Sequence, residues 1–346
     1  MKTPLEVQNI LGTYRGLIDG VASKFLDRGT YDMYGMMRYF MGYTDEQFRN
    51  IHVEFGGKRF RSGLCLLIAD CYGVKESAVS AALSIELFHN FTLIHDDIVD
   101  HDEFRRGRKT VWALWGVDHA INTGDAQLII AIEALETLAT AHQSDVRLCL
   151  LNTYREVAEG QYLDFSLTSY RLDDPRVSEV SYLEMLTKKT SVLVAAAAQC
   201  AGKIKGVGSD EEALLWQYGL SLGLAYQLCD DVVSIWGSSD MTGKQAHGDV
   251  REKKKTLPVL YAKEQLDTKE RAELISLYNA SQSLDEITVM RIIELLNSVE
   301  AYAYARKRIT QYRNEACEVA NRLSISDEHK NTLIALVDAL LPEVEM

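Results

Sequence analysis

Proline is nearly absent from this chain. Of 346 residues only four are proline, Pro4, Pro175, Pro258 and Pro342, and two of those lie near the ends. Proline removes a backbone donor and clashes with the preceding turn, so its scarcity leaves long segments free of the strongest helix breaker. Apolar residues make up 47% of the chain, enough for a sizeable core. They recur at helical spacing from about residue 5 to 43, where Ile10, Leu11, Ile18, Val21 and Phe25 share a stripe. Further long helices are expected over residues 77–103, 112–140 and 145–170, with a break at Asp173-Asp174-Pro175. Capping boxes at Ser181/Glu184, Ser209/Glu212 and Ser283/Glu286 would start three more. No β-alternating stretch, linker or fixed-period repeat interrupts the pattern. The expected fold class is therefore all-α: one domain over residues 1–346, a bundle of long helices around a central cavity.

Net charge is −13, which argues against nucleic acid as a partner, since that requires a basic footprint. The basic residues are nonetheless gathered locally, at 58–61, 105–109, 188–189 and 251–255. Basic knots on an acidic chain suit a small anionic ligand better than a long polyanion. Six cysteines, Cys65, Cys71, Cys149, Cys200, Cys229 and Cys317, lack CxxC spacing and read as thiols in a reducing, cytoplasmic setting. No basic region followed by an apolar core opens the chain, and its end carries no prenylation box. The longest apolar run, residues 191–201, is about half the ~20 residues a bilayer crossing needs, so no membrane span is expected.

Chemistry concentrates in residues 87–107, LFHNFTLIHDDIVDHDEFRRG. On a helix Asp96 and Asp100 are i,i+4 neighbours and Asp97 and Asp100 are i,i+3, so three carboxylates crowd one end of one face. Like charges at that spacing repel and call for a cation. All-oxygen ligands suit Mg²⁺, which binds one or two carboxylates and completes its shell with water and substrate phosphate. Arg105 and Arg106 follow at once, planar forks suited to phosphate oxygens. His89 lies two turns before Asp96 on the same face. Upstream, GGKRFRS (residues 56–62) reads as a diglycine turn opening a helix, with Lys58 and Arg61 on one side of its first turn. Downstream, Gln227 and Asp231, and Asp230 and Ser234, form a second polar patch at the end of an apolar helix. Acid for a metal beside base for a phosphate describes a metal-bridged diphosphate site.

The motifs GGKRFR, HxxxxxxDDxxD…RRG, GQxxD, KKT, QxxDD, GK and DxxxxKxTLP occur in that order from Gly56 to Pro258. Their order and number resemble those of the trans-isoprenyl diphosphate synthases, the polyprenyl synthetases. The resemblance spans nearly the whole chain. It implies the isoprenoid synthase fold, a homodimer, and condensation of isopentenyl diphosphate with an allylic diphosphate. By the same resemblance three Mg²⁺ ions are held by Asp96 and Asp100, with Asp97 in support, and by Asp230 with Asp231 beside it. Arg105, Lys189, Lys244 and Lys254 would clamp the allylic diphosphate. Lys58, Arg61, His89 and Arg106 would hold isopentenyl diphosphate. Thr190, Gln227 and Asp164 would face the developing cation beside Lys189.

Three positions depart from the family pattern. Ser234 stands where a third acid is usual, Ser62 replaces a proline, and the tail PEVEM lacks a basic end. A class I terpene cyclase on the same scaffold and a non-catalytic subunit of a heteromeric synthase are alternatives, since altered second motifs occur in both. A cyclase needs no acceptor site, however, and an inactive subunit would be expected to lose first-motif ligands. Chain length is expected from the residues beneath Asp96. A small Thr92, four residues before it, with bulky Phe91 and Phe88 deeper still, resembles enzymes making C20 geranylgeranyl diphosphate, with C15 farnesyl diphosphate second.

Overall fold

The computed structural model describes residues 4–29, 31–51, 57–237 and 247–341, and most of these are helical. The first helices are α1 (Pro4–Phe25), α2 (Asp32–Phe40), α3 (Phe60–Cys71) and α4 (Lys75–Val99). A two-stranded hairpin follows, β1 (Phe104–Arg105) against β2 (Arg108–Lys109). Then come α5 (Val111–Trp115), α6 (Val117–Ala134), α7 (Gln143–Ser169), α8 (Glu179–Leu186), α9 (Val192–Lys205) and α10 (Ser209–Trp236). After the undescribed residues 238–246 lie α11 (Gly248–Arg251), α12 (Leu257–Gln265), α13 (Thr268–Asn279), α14 (Glu286–Ser298), α15 (Ala301–Arg322) and α16 (Asp327–Leu340).

The breaks between helices explain where periodicity alone misleads. The stripe over residues 5–43 is two helices, parted around Gly29, whose φ of +60° favours glycine. The expected helix over 112–140 is interrupted at Gly116, φ +90°. Three caps also fall elsewhere. Ser181 answers Ser178, which is the true N-cap of α8. Gly208 precedes α10 while Glu212 pairs with Lys203 at 2.5 Å. Asp285 caps α14 by accepting the Thr288 N–H. In each case a nearer acceptor, or a cation, claims the side chain first.

The core helix α4 packs against α3, α6 and α9. It is long and apolar enough in composition to cross a bilayer, yet its apolar window lies largely buried inside the protein. One apolar cluster joins α1, α3, α4, α7, α9 and α16; a second joins α8 with α12 and α14. α10 serves both, with Leu215, Tyr218 and Leu222 in the first and Leu228, Val232 and Ile235 in the second.

Glycines let helices meet at backbone distance, two of them beside the active site. A Cβ on Gly160 of α7 would lie 2.2 Å from the Lys189 nitrogen, and one on Gly223 of α10 would lie 2.8 Å from the Ser191 Cα. Both contacts converge on residues Thr187–Ser191, a π-helical turn between α8 and α9 that carries Lys188, Lys189 and Thr190. The GQxxD motif thus opens with the glycine that seats α7 against this turn.

Arg59 ties the front of the bundle together. Its side chain is 1% exposed and bridges Asp19 of α1 (2.8 Å) and Glu86 of α4 (3.1 Å). It also donates to the Met41 carbonyl at 2.6 Å. Ser62 donates to the other Glu86 oxygen at 2.8 Å, so the residue replacing the family proline completes this buried network. Removing one partner of a buried pair costs about 3–5 kcal/mol, because the remaining charge is left uncompensated. Arg59→Met should therefore lower the urea unfolding free energy by about that amount. The triple change Arg59→Met, Asp19→Asn, Glu86→Gln should recover part of the loss. A single variant as stable as the parent would contradict the account.

Candidate active site

α4 ends where its three acids gather. Asp100 is its C-cap and donates its N–H to the Asp96 carbonyl. Asp96 is half-buried, Asp100 exposed, and Asp97 only 1% exposed. Asp97 turns back toward the hairpin, where Oδ1 accepts from Arg105 Nε at 2.5 Å, while its buried Oδ2 has no partner. Burial pushes Asp97 up to about 6, against the opposing pull of Arg105. Asp96 and Asp100 are raised as well, by burial first; Lys189 opposes this in both. Among the described residues no three His, Cys, Asp or Glu side chains form a ready metal cage. The donor set nevertheless fits Mg²⁺: hard oxygens only, under-compensated charge, and an orphaned Asp97 oxygen, with the remaining ligands supplied by phosphate and water.

Across from this end stand α7, the π turn and α10. Lys189 Nζ pairs with Asp164 Oδ2 at 2.5 Å, and its charge also acts on Asp96 and Asp100. Asp164, expected to face a cation directly, thus stands as the partner of Lys189. Thr190 Oγ1 donates to Gln227 Oε1 at 3.4 Å. The second acidic pair divides. Asp230 is exposed, whereas Asp231 is 7% exposed, with Oδ1 accepting from Gln227 Nε2 (3.2 Å) and Oδ2 from the Tyr182 hydroxyl. Burial, then the neighbouring Asp249, raises Asp231 to about 8. Of the second acidic pair, Asp230 thus faces outward, while Asp231, expected beside it as a metal residue, has both oxygens bonded inward by Gln227 and Tyr182.

Ser234 is not a vacant ligand position either. Its hydroxyl accepts the Asp249 N–H at 3.1 Å, holding α11 against α10, and also bonds the Asp249 carboxylate. An aspartate there would set one carboxylate against another. Lys254 pairs with Glu252 (2.9 Å) and Asp249 (3.4 Å), and its charge reaches Asp100. Lys244 lies outside the described residues.

A separate basic cluster gathers around His89, within reach of the charge of Arg105. Arg61 Nη1 meets His89 Nε2 at 3.1 Å, and the Arg61 Nε is buried without a partner. Burial, then Arg61, Arg106 and Arg105, holds His89 well below the usual imidazole range. Gly57, φ +73°, admits Arg106: a Cβ there would lie 2.7 Å from the guanidinium carbon. Lys58 is exposed and precedes α3, since Arg59, φ +51°, ends the turn. The first-turn pairing of Lys58 with Arg61 therefore does not form, and the third cation of the motif, Arg59, is the buried one.

Beneath Asp96 the chain-length candidates form an aromatic ladder. Phe91 lies 4.9 Å from the His95 ring and 5.5 Å from Phe88, and Phe88 stacks on Tyr154 of α7 at 3.8 Å. Thr92 Oγ1 bonds the His89 carbonyl at 2.8 Å. Tyr154 and Tyr182 escaped the sequence reading because each meets its partner from another helix, at a spacing no motif records.

Acidic helix ends, facing cations and an adjoining basic pocket within an all-α bundle define a class of enzymes that handle prenyl diphosphates. The polyprenyl synthetase family matches residues 46–296, and the chain belongs to that family. It is a trans-prenyltransferase of the short-chain isoprenyl diphosphate synthase type. It is 38% identical over 253 residues to (2E,6E)-farnesyl diphosphate synthase of Mycobacterium tuberculosis, covering 73% of this chain and 69% of that protein. It is 36% identical over 301 residues to geranylgeranyl pyrophosphate synthase of Geoglobus acetivorans, covering 84% and 88%. The crystal structure of polyprenyl synthetase from Streptomyces coelicolor A3(2) superposes with a TM-score of 0.88 at 32% identity, covering 97% of this chain and all of that one. The isoprenoid synthase fold is thereby established, and enzymes of this family are generally Mg²⁺-dependent.

The basic pocket makes a titration prediction. A depressed His89 pKa keeps the ring neutral in the folded protein below pH 6.5, where an unfolded histidine binds a proton, so acidification through 6.5 removes stability. Inorganic diphosphate, by supplying opposite charge, should raise the His89 pKa. NMR of the ring should show it neutral at about pH 6 without diphosphate. Titration near 6.5 in the free protein would exclude this electrostatic picture.

Proposed function

We propose that this enzyme condenses isopentenyl diphosphate with an allylic diphosphate, head to tail, and that its product is the C20 geranylgeranyl diphosphate, with the C15 farnesyl diphosphate as the second choice. The carrying observation is the presence of two charge compartments that meet at Arg105: an acid end faced by Lys189, and a cation pocket of Arg61, His89 and Arg106. A terpene cyclase would have no use for the second.

In this reading Asp96 and Asp100, with Asp97 behind them, hold two Mg²⁺ ions and Asp230 a third. When bound, Mg²⁺ supplies Lewis-acid neutralisation of the leaving diphosphate. Arg105, Lys189, Lys244 and Lys254 add fixed positive charge around the allylic diphosphate, which lowers the barrier to C–O cleavage. Lys58, Arg61, His89 and Arg106 orient isopentenyl diphosphate so that its double bond attacks the allylic cation, an arrangement worth several kcal/mol of avoided entropy loss. Thr190 and Gln227 present oxygens to that cation. The proton lost from the product passes to the departing diphosphate. The whole chain acts as one domain, a reading supported by α10 serving both apolar clusters. A homodimer is supported by exposed Val117, Ile121 and Ile129 on α6 and Leu148 and Leu151 on α7. Six free cysteines support a cytoplasmic location.

Incubation with Mg²⁺, isopentenyl diphosphate and each allylic primer tests the reaction. Alcohols released only by phosphatase are expected; hydrocarbons without phosphatase would mean cyclisation. Asp96→Ala should lower kcat by at least the ~10²–10³ that loss of one preorganised stabilising group can cost, with the fold intact by circular dichroism. Arg61→Ala should mainly raise the KM for isopentenyl diphosphate. Equal weakening of both substrates would argue against two sites.

Product length is proposed to depend on the ladder Thr92, Phe91 and Phe88, with Tyr154 as its base. Phe91 is about 7.5 Å deeper than Asp96 at the helical rise of ~1.5 Å per residue. Phe91→Ala should lengthen the product and Thr92→Phe shorten it, as read by chromatography of the dephosphorylated alcohols. Unchanged lengths in both would move the floor to another helix.

A further inference from the structure

We propose that Cys149 and Cys200 are a redox modification site: a peroxide converts the pair to a disulfide that joins α7 to α9 and leaves the Gly160–Lys189 contact in place. The inference goes beyond the elongation chemistry and does not depend on it.

The two thiols already meet. Cys200 donates its S–H to the Cys149 sulfur at 4.0 Å, and Cys149 donates to the Gln199 side-chain oxygen at 3.3 Å. A disulfide bond is about 2.05 Å long, so the sulfurs must approach by about 2 Å. The backbone is in register for this. α7 and α9 run antiparallel, with Gly160 seated on Lys189 where the π turn leads into α9. Cys149 lies eleven residues before Gly160, and Cys200 lies eleven after Lys189. The thiols therefore face each other in the same row of the helix pair, about 16 Å along it at the ~1.5 Å helical rise. Gly160 fixes one end of the pair, and closing the sulfurs draws in the other.

The two sulfurs have different parts in the reaction. Cys200 is fully buried, whereas Cys149 is half-buried and within reach of a small solute. The hydrogen bond from Cys200 holds the Cys149 thiol below its usual range; burial opposes this, Lys203 adds to it, and Glu212 and Glu156 oppose it. The thiolate is the nucleophilic form. It attacks one peroxide oxygen and breaks the O–O bond, leaving a sulfenic acid on Cys149 and a hydroxide that takes up the thiol proton as water. The Cys200 sulfur then attacks the Cys149 sulfur, its proton passes to the departing hydroxyl, and a second water leaves. Two thiols and one hydrogen peroxide become one disulfide and two waters; sulfur is oxidised and the peroxide oxygens are reduced. A cross-link spanning 51 positions removes freedom from the unfolded chain, so the oxidised enzyme is the more stable one.

The test treats the reduced full chain with hydrogen peroxide, blocks it with an alkylating agent, and reads intact mass and a non-reducing peptide map. Two thiols should be lost with no oxygen gained, residues 149 and 200 should be linked, and dithiothreitol should reverse the change. The cross-linked enzyme should melt about 5 °C higher and keep its elongation rate within about twofold, since the link lies far from the reacting groups. Cys149→Ser should lose the cross-link and the added stability while elongating at the parent rate. Cys200→Ser should stop at the Cys149 sulfenic acid, trapped by dimedone. Should Cys200→Ser melt early, Cys149→Ser carries the test alone. A disulfide at any other pair, or oxygen added to Cys149 of the wild type without a cross-link, overturns the proposal. So does a cross-linked enzyme that has lost stability or most of its activity.

Discussion

Carboxylates at the C-terminus of a helix stand at the wrong end of its dipole. The last turn of a helix carries about half a negative charge, which favours cations there and opposes acids. α4 places Asp96, Asp97 and Asp100 in that position, and α10 places Asp230 and Asp231 near its own end. Each arrangement is unstable alone, and the surrounding structure answers it. Arg105 reaches back from the hairpin to Asp97; Lys189 stands between Asp164 and the α4 acids; Tyr182 and Gln227 donate to Asp231. What these groups leave uncompensated is the charge available to a metal and its diphosphate.

The stability of the scaffold and the reactivity of the site are separated by one residue. In the run Lys58-Arg59-Phe60-Arg61, Arg59 is buried between Asp19 and Glu86, while Arg61 stands against His89. Arg59 is fully paired and anchors α1 to α4; Arg61 meets a neutral imidazole and keeps a positive field. The left-handed backbone at Arg59 sends neighbouring cations in different directions. A basic knot in a sequence therefore conceals both a structural and a binding charge.

Long helices were legible in the chain because they depend on local composition, and the acid-ended helices because charge repulsion at i,i+3 and i,i+4 is itself a local signal. Helix ends were less so. Ser181, Glu212 and Glu286 sit in capping sequences, yet Ser178, Lys203 and Arg251 engage them instead. Arg61, His89, Asp96, Asp164, Gln227 and Asp230 lie on helices the sequence predicts, whereas Lys58 precedes its helix and Asp231 turns inward. Ser234, Tyr154 and Tyr182 could not be read, because their meaning lies in partners on other helices.

The π turn at Thr187–Ser191 has a geometric effect beyond the side chains it carries. Before it, α8 sends Tyr182, Met185 and Leu186 into the second apolar cluster; after it, α9 sends Val192, Leu193 and Val194 into the first. An uninterrupted α-helix advances about 100° per residue, so its apolar face keeps one heading. A wide turn adds a rotational offset, and the rod changes phase as it crosses the active site. α8 and α9 can thus be nearly one continuous helix and still belong to two cores. Lys189 and Thr190 occupy the seam, where neither half of the helix dictates their direction.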